Sequence, residues 1–281
     1  MVMDCGSNAA AFNTGGNAAG AAPPRKERWR CHRSPDHNAP LMWTIEPSSI
    51  GRIAVPPSLP QGTALFVTTR DFRGMHPFAE ELLRVTRERF GVEASLTTCS
   101  QVHSATVTRA VRGKTWRECD SCDALWSAET EVALGIKVAD CLPITMIDPE
   151  HSVIANVHSG WRGAAQRITS ATIDAIARET SFDAASAYAY LGPSIRVCCF
   201  EVGEEVVTEF AKSYRDVERY VDRSRAKPHV DLVTLTTDVL RERGITRISD
   251  SGLCTRCEGS VFHSFRRDGK GGGRNLQVVA Q

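Results

Sequence analysis

Three side chains of metal-ligating type stand far apart in the sequence: His103 in SQVHS, Cys141 in VADCLP and His158 in NVHSGWRG. Two imidazoles and one thiolate form a donor set suited to Zn²⁺, and three protein ligands rather than four leave a coordination position open to water or substrate. An open position is the mark of a catalytic metal. Structural zinc sites use four ligands, usually in local pairs such as CxxC, whereas these residues are 141 − 103 = 38 and 158 − 141 = 17 positions apart. By residue type alone, a cysteine on an apolar strand equally fills a core, and a single histidine equally serves as a hydrogen-bonded surface group. The residues by themselves leave both readings open.

The elements that must position them alternate between strand and helix from Met42 onward. Ala64 to Thr69 reads as a strand, and Pro77 to Phe90 carries Leu82, Leu83 and Val85 at helical intervals before Gly91 ends it. Leu96 to Val111 alternates and is rich in Thr and Val. Ile136 to Ile147 is apolar, with Pro143 pointing to a strand edge or bulge, and Ser152 to Val157 is a short apolar strand. Asp140, next to Cys141, is then expected to face the opposite side of its strand unless Pro143 marks a bulge. After Gly160-Trp161-Arg162-Gly163, residues Ile168, Thr172, Ile173 and Ile176 line one helical face. Further helices are expected over Glu204 to Tyr214 and over Leu232 to Arg243, the second capped by Asp231 and closed by Gly244. A terminal hairpin, Val261 to Phe265 with Leu276 to Val279, would enclose the basic glycine loop from Asp268 to Arg274. The reading is mixed α and β in one domain.

Composition narrows the function classes. The chain has 281 residues, 42% hydrophobic and 24% charged, with 34 Lys+Arg against 33 Asp+Glu for a net charge of +1. So even a balance supplies no long-range field for a nucleic-acid or membrane-surface role. The best apolar run is broken by Lys137 and Asp140, which excludes a membrane-spanning helix there. Ten cysteines are too few for a disulfide scaffold and point to a reducing, cytoplasmic setting. Residues 1–41, rich in Ala, Gly and Asn and then basic, read as a disordered extension ahead of a catalytic domain over residues 42–281.

The motifs QVH, ADCLP and H-x-G-W-R-G, followed by LGPSI from Leu191, CCFEVGEEV from Cys198, CTRC from Cys254 and FHSFRRDGKGGGR ending at Arg274, resemble the signature of the YfiH-like family. The resemblance runs from about Ala64 to the C-terminus. That family has long been described as multicopper polyphenol oxidases or laccases. The resemblance implies an α+β fold, a single-domain layered α/β sandwich with mixed β-sheets, and one Zn²⁺ held by His103, Cys141 and His158. It also implies purine nucleoside phosphorylase activity on adenosine, inosine, guanosine and methylthioadenosine, adenosine deaminase activity, and for some members the editing of peptidoglycan precursors. The laccase description itself fits poorly. A four-copper centre needs many imidazoles, commonly in His-x-His pairs, and this chain has eight histidines and no such pair.

A zinc ion with an open position lowers the pKa of bound water to about 7, which suits attack on a purine C6. Phosphorolysis needs, in addition, groups that hold phosphate and stabilise an oxocarbenium-like ribose. Arg162, in the turn that opens a helix, is one such group, with Arg70, Arg266 and Arg267 as further cations and Trp161 as a stacking surface for the base. Asp140 is a candidate acid or base. Asp123 and Glu201 also match family positions, although a turn or a backbone hydrogen bond accounts for each equally well. Two other functions compete: a cysteine hydrolase with Cys141 as nucleophile and His103 or His158 as base, and a non-catalytic zinc-stabilised binding domain. The pairs Cys119/Cys122 and Cys254/Cys257 invite a structural-zinc reading, but 254 − 122 = 132 residues is far outside ribbon spacing, although folding could still join them; the alternative is reduced thiols in loops. The segment Asp71 to His76 is shorter than the family pattern, which bears on the substrate pocket.

Overall fold

A computed structural model describes residues 42–73 and 78–281. The expectations for residues 1–41, and for part of the shortened segment after Arg70, therefore fall outside the described residues. The chain runs through β1 (Thr44–Ser48), β2 (Gly51–Val55), β3 (Ala64–Thr68), α1 (Ala79–Phe90), β4 (Ser95–Cys99), β5 (Val107–Arg109), β6 (Trp116–Cys119) and β7 (Ala124–Ser127). It continues with β8 (Val132–Val138), β9 (Leu142–Asp148), β10 (Val153–Ser159), α2 (Trp161–Ala165), α3 (Ile168–Glu179), β11 (Tyr188–Leu191) and α4 (Glu204–Ala211). The last elements are β12 (Val221–Asp222), β13 (His229–Val230), α5 (Leu232–Glu242), β14 (Arg247–Asp250), α6 (Phe265–Asp268) and β15 (Asn275–Ala280).

Among the described residues the strands form two large mixed sheets, in the orders β1-β2-β3-β15-β8-β4-β6 and β14-β11-β9-β10-β7-β5, plus the short ribbon β12-β13. Leu65, Val67, Leu134, Ile136 and Val279 of the first sheet pack against Leu125, Ile147, Ile154 and Tyr190 of the second, so the sheets meet face to face. The outer face of the first sheet is covered by α1 through Leu82, Leu83 and Val85. The outer face of the second is covered by the remaining long helices, with Ile168, Ile173, Val207, Phe210, Val239 and Leu240 in one cluster. The order helix, sheet, sheet, helix explains why the central strands read as continuous apolar runs, since both of their faces are buried.

Three expectations are corrected here. The apolar stretch Ile136 to Ile147 is two strands in different sheets, because the chain turns at Asp140 with φ of 89°. Periodicity cannot divide a run that is buried throughout. Asp140 is consequently a turn residue and not a strand residue, and Pro143 lies inside β9, opposite His158 of β10. The helix after Gly160 is broken into the five-residue α2 and the twelve-residue α3 by Arg167, whose φ is 61°. So short a first helix adds little dipole at Arg162. Lastly, Val261 to Phe265 forms no strand. Ser264 caps α6 by accepting from the Arg267 backbone N–H, Asp268 accepts from the Ser264 N–H, and β15 inserts between β3 and β8 instead.

Candidate active site

The turn between β4 and β5 delivers His103, the turn between β8 and β9 delivers Cys141, and β10 delivers His158 near its C-terminal end. Their ligand atoms all lie within 4.8 Å of one another. His103 Nε2 is 3.8 Å from Cys141 Sγ, close to the N···S separation of about 3.5 Å that tetrahedral zinc with ordinary bond lengths would impose. The two imidazole rings meet edge to face with centroids 4.9 Å apart.

One buried carboxylate organises this cluster. Asp123 is fully inaccessible to solvent, and its oxygens accept the backbone N–H groups of Val102, His103 and Ser104 at 3.2, 3.0 and 2.7 Å. Those three bonds hold the loop in which His103 takes a φ of 61°, a conformation that carries a cost for a residue with a side chain. Asp123 Oδ1 also lies 2.8 Å from His158 Nδ1. That contact holds a ring proton on Nδ1 and leaves Nε2 as the nitrogen that would give up its proton and offer its lone pair to a metal. The sequence matched Asp123 to the family but offered a backbone hydrogen bond as an equal account. The structure has the carboxylate accepting from backbone and from His158 together.

Electrostatics follow from this packing. Burial would raise the Cys141 thiol, but hydrogen bonds and charge from His103 and His158 outweigh it and bring the thiol down to about 6. Burial would likewise lower His158, yet the hydrogen bonds to Asp123 and Cys141 raise it to about 9. The ground state of the metal-free cluster near neutral pH is therefore a thiolate beside an imidazolium. Zn²⁺ needs a deprotonated sulfur, which is already in place. Gly160 closes the cluster on one side: a Cβ there would lie 2.9 Å from Cys141 Sγ and 3.0 Å from His103 Cδ2. The donor set, its spacing and this glycine cradle fit a soft-to-borderline divalent ion.

The cluster opens into a cavity of about 660 Å³ that also exposes Gln101, Lys137, Asp140, Trp161, Arg162, Phe200, Phe265, Arg266 and Arg274. Of the residues expected to bind substrate, Trp161, Arg162 and Arg266 line it, and the Arg162 guanidinium lies over the Trp161 ring at 4.3 Å. Arg70 and Arg267 are turned elsewhere. Arg70 donates to the Gly259 carbonyl, and Arg267 donates to the Thr255 and Phe262 carbonyls and pairs with Asp268. Lys137 and Arg274 take their places as lining cations, Lys137 with its ammonium 2.8 Å from Glu118. Arg274 belonged to the basic glycine loop, but nothing in the spacing distinguished it from the other cations there. Asp140 reaches the cavity, with both carboxylate oxygens in use: one accepts from the Thr255 hydroxyl and the other from the Arg266 backbone N–H, each at 2.6 Å. Glu201 is exposed and pairs with Lys227 at 3.0 Å.

Residues 79–281 match the family model described as multi-copper polyphenol oxidoreductase laccase. The chain belongs to this family. The curated relatives it resembles carry other names. The chain is 36% identical over 161 residues to adenosine deaminase RL5 of an unknown prokaryotic organism, a match covering 56% of this chain and 61% of that protein. It is 35% identical over 161 residues to a purine nucleoside phosphorylase of Clostridium acetobutylicum, covering 56% and 66%. It is 30% identical over 207 residues to a purine nucleoside phosphorylase of Deinococcus radiodurans, covering 72% and 77%. The first two matches thus span less than two thirds of their relatives. The fold is shared with the crystal structure of Bacillus licheniformis YfiH, at a TM-score of 0.68 and 23% identity over 78% of this chain and 92% of that one. The family's mixed α+β architecture is the one described above. Among the described residues no helix is long and apolar enough to cross a membrane.

Proposed function

We propose that this family member is a zinc-dependent purine nucleoside phosphorylase acting on adenosine, inosine, guanosine or methylthioadenosine with inorganic phosphate, with adenosine deamination as a side activity, in the cytoplasm. The observation that carries the proposal is the convergence of His103, Cys141 and His158 at the floor of a cavity walled by cations and aromatic rings. The names of the prokaryotic relatives supply the reaction class. A Zn²⁺ ion held by those three side chains would supply Lewis acidity and a more acidic bound water.

The remaining work falls to the chain's own residues. Arg162, Arg266, Arg274 and Lys137 give the cavity a positive wall against which phosphate would be held. Phe200, Phe265 and Trp161 offer apolar faces for a purine, and the cavity volume is in the range of small-molecule sites. In phosphorolysis a phosphate oxygen forms a bond to ribose C1′, the C1′–N9 bond breaks, and the base leaves with the electron pair and gains a proton. Asp140 serves as a positioning residue: by accepting from Thr255 and from the Arg266 backbone it ties the Cys141 turn to the helix that carries Phe265 and Arg266. The test is phosphate-dependent release of hypoxanthine from inosine. Zinc depletion should abolish it and zinc should restore it. Turnover that is indifferent to phosphate and to zinc would contradict the proposal.

A second reading draws on the low thiol of Cys141 beside His103: a nucleophilic cysteine acting on amide bonds. Covalent capture of Cys141 by a substrate-like electrophile in zinc-loaded protein would favour it over phosphorolysis.

A further inference from the structure

Away from the active-site cluster, Cys198 and Cys199 face Cys254 and Cys257. The four sulfurs all lie within 4.8 Å of one another, with Cys199 and Cys257 at 3.4 Å and Cys198 and Cys257 at 3.9 Å. Cys254 and Cys257 are free cysteines, as the reading of reduced thiols in loops expects, but they meet Cys198 and Cys199 and not Cys119/Cys122. Cys119 and Cys122 lie with Cys99 instead, Cys119 pairing with it across β4 and β6.

We propose that Cys198, Cys199, Cys254 and Cys257 form a second, structural zinc site of the tetrathiolate class. A tetrahedron of sulfurs at 2.3 Å from zinc has edges of about 3.8 Å, and the separations of Cys257 from Cys198 and Cys199, 3.9 and 3.4 Å, straddle that value. The backbone is shaped for it. Residues 194–199 and 253–257 run side by side, joined by Ser194 N–H to Leu253 O and by Thr255 N–H to Ser194 O, and each segment turns tightly at its cysteines. The turn of residues 197–199 lets two adjacent cysteines face one point, which an extended chain would forbid. The Cys254 sulfur accepts the backbone N–H groups of Cys257 and Arg196, the kind of support that thiolate ligands receive in CxxC knuckles. Four thiolates around a divalent ion leave two negative charges. Arg196, itself paired with the Asp250 carboxylate at 2.6 Å, lies near Cys254, and Arg225 donates to the Cys198 carbonyl at 2.8 Å. Closure by four protein ligands excludes water, so this ion would be structural.

The site would staple two walls of the catalytic cavity. Ile195 and Phe200, which line it, bracket Cys198 and Cys199, and Thr255, which holds Asp140, lies between Cys254 and Cys257. Nothing in this inference depends on the nucleoside reaction, and its test reads the metal directly. Wild-type protein purified under reducing conditions and loaded with ¹¹³Cd should give two resonances, one in the tetrathiolate range and one shifted as mixed nitrogen and sulfur ligation requires. Zinc content should be two ions per chain. It should fall to one in Cys198→Ser/Cys257→Ser and to one in His158→Ala, with the tetrathiolate resonance surviving only in the latter. A single cadmium resonance in wild-type protein, one zinc per chain unaffected by the double serine variant, or a Cys199–Cys257 disulfide in protein isolated under those conditions would overturn the inference.

Discussion

His158 Nδ1 lies 2.8 Å from the Asp123 carboxylate, and the same carboxylate accepts the backbone N–H of His103 at 3.0 Å. One buried side chain thus orients two of the three proposed ligands. Replacing Asp123 with Asn keeps the shape but removes the charge that favours a proton on His158 Nδ1. Zinc affinity is expected to fall by about 10- to 100-fold, as read by competition with a chromophoric chelator. Affinity within a factor of two of wild type would show that His158 needs no such partner.

Gly160 touches the cluster through its missing side chain. A Cβ would approach Cys141 Sγ to 2.9 Å and His103 Cδ2 to 3.0 Å, distances that real Cβ contacts avoid. Gly160→Ala is expected to displace a ligand and weaken zinc binding by about tenfold, roughly 1.4 kcal/mol. The melting temperature of the metal-free protein should change by only a few degrees. Unaltered zinc affinity would mean that the cradle is loose.

The Cys141 thiol sits at about 6 instead of its ordinary 9.0, because hydrogen bonds and charge from His103 and His158 overcome the opposing effect of burial. Since the thiolate is the reactive form, alkylation of Cys141 in metal-free protein should be half-maximal near pH 6. It should fall below that pH as the thiol regains its proton, and stay level above it. Site-resolved mass spectrometry after brief iodoacetamide treatment measures this, and zinc should suppress the reaction across the range. A midpoint near 9 would contradict the thiolate–imidazolium ground state.

Between the sheets, Asn156 of β10 donates through Nδ2 to the Leu134 and Gln277 carbonyls at 2.9 and 3.0 Å, and its Oδ1 accepts from Gln277 Nε2 at 3.1 Å. Asn156→Ala leaves buried carbonyls and an amide unpaired, which should cost about 3 kcal/mol. The urea unfolding midpoint would register the loss. A change under 1 kcal/mol would show that water replaces the amide.

The contrast between His158 and Asp123 shows what the sequence made legible. His103, Cys141 and His158 were visible because they fall within recognisable motifs, whereas residue type alone left core and surface roles equally open. Asp123 was ambiguous because its importance lies in partners 20 and 35 positions away, His103 and His158, which no local pattern encodes. The same limit applies to the cations: Arg266 and Arg267 are neighbours, yet the α6 turn sends one to the cavity and the other to the Thr255 and Phe262 carbonyls. The four-cysteine cluster was hidden by a 55-residue separation between Cys199 and Cys254, closed only by the pairing of their two loops. Strand identities survived at Ala64–Thr68 and Val153–Ser159, whereas the alternating stretch Leu96 to Val111 is split into β4 and β5 of different sheets, with His103 on the loop between them. They also failed at Asp140, where a positive φ divides an apolar run that periodicity treats as continuous.

The most direct measurement pairs metal content with turnover in His158→Ala. The imidazole removed there is 4% exposed and carries one of the three proposed ligand atoms. The expected result is loss of one zinc ion per chain together with loss of phosphate-dependent hypoxanthine release from inosine, by at least about 100-fold, in a protein that remains folded by circular dichroism. A variant that loses that zinc and still cleaves inosine at the wild-type rate would contradict a catalytic centre built on His103, Cys141 and His158.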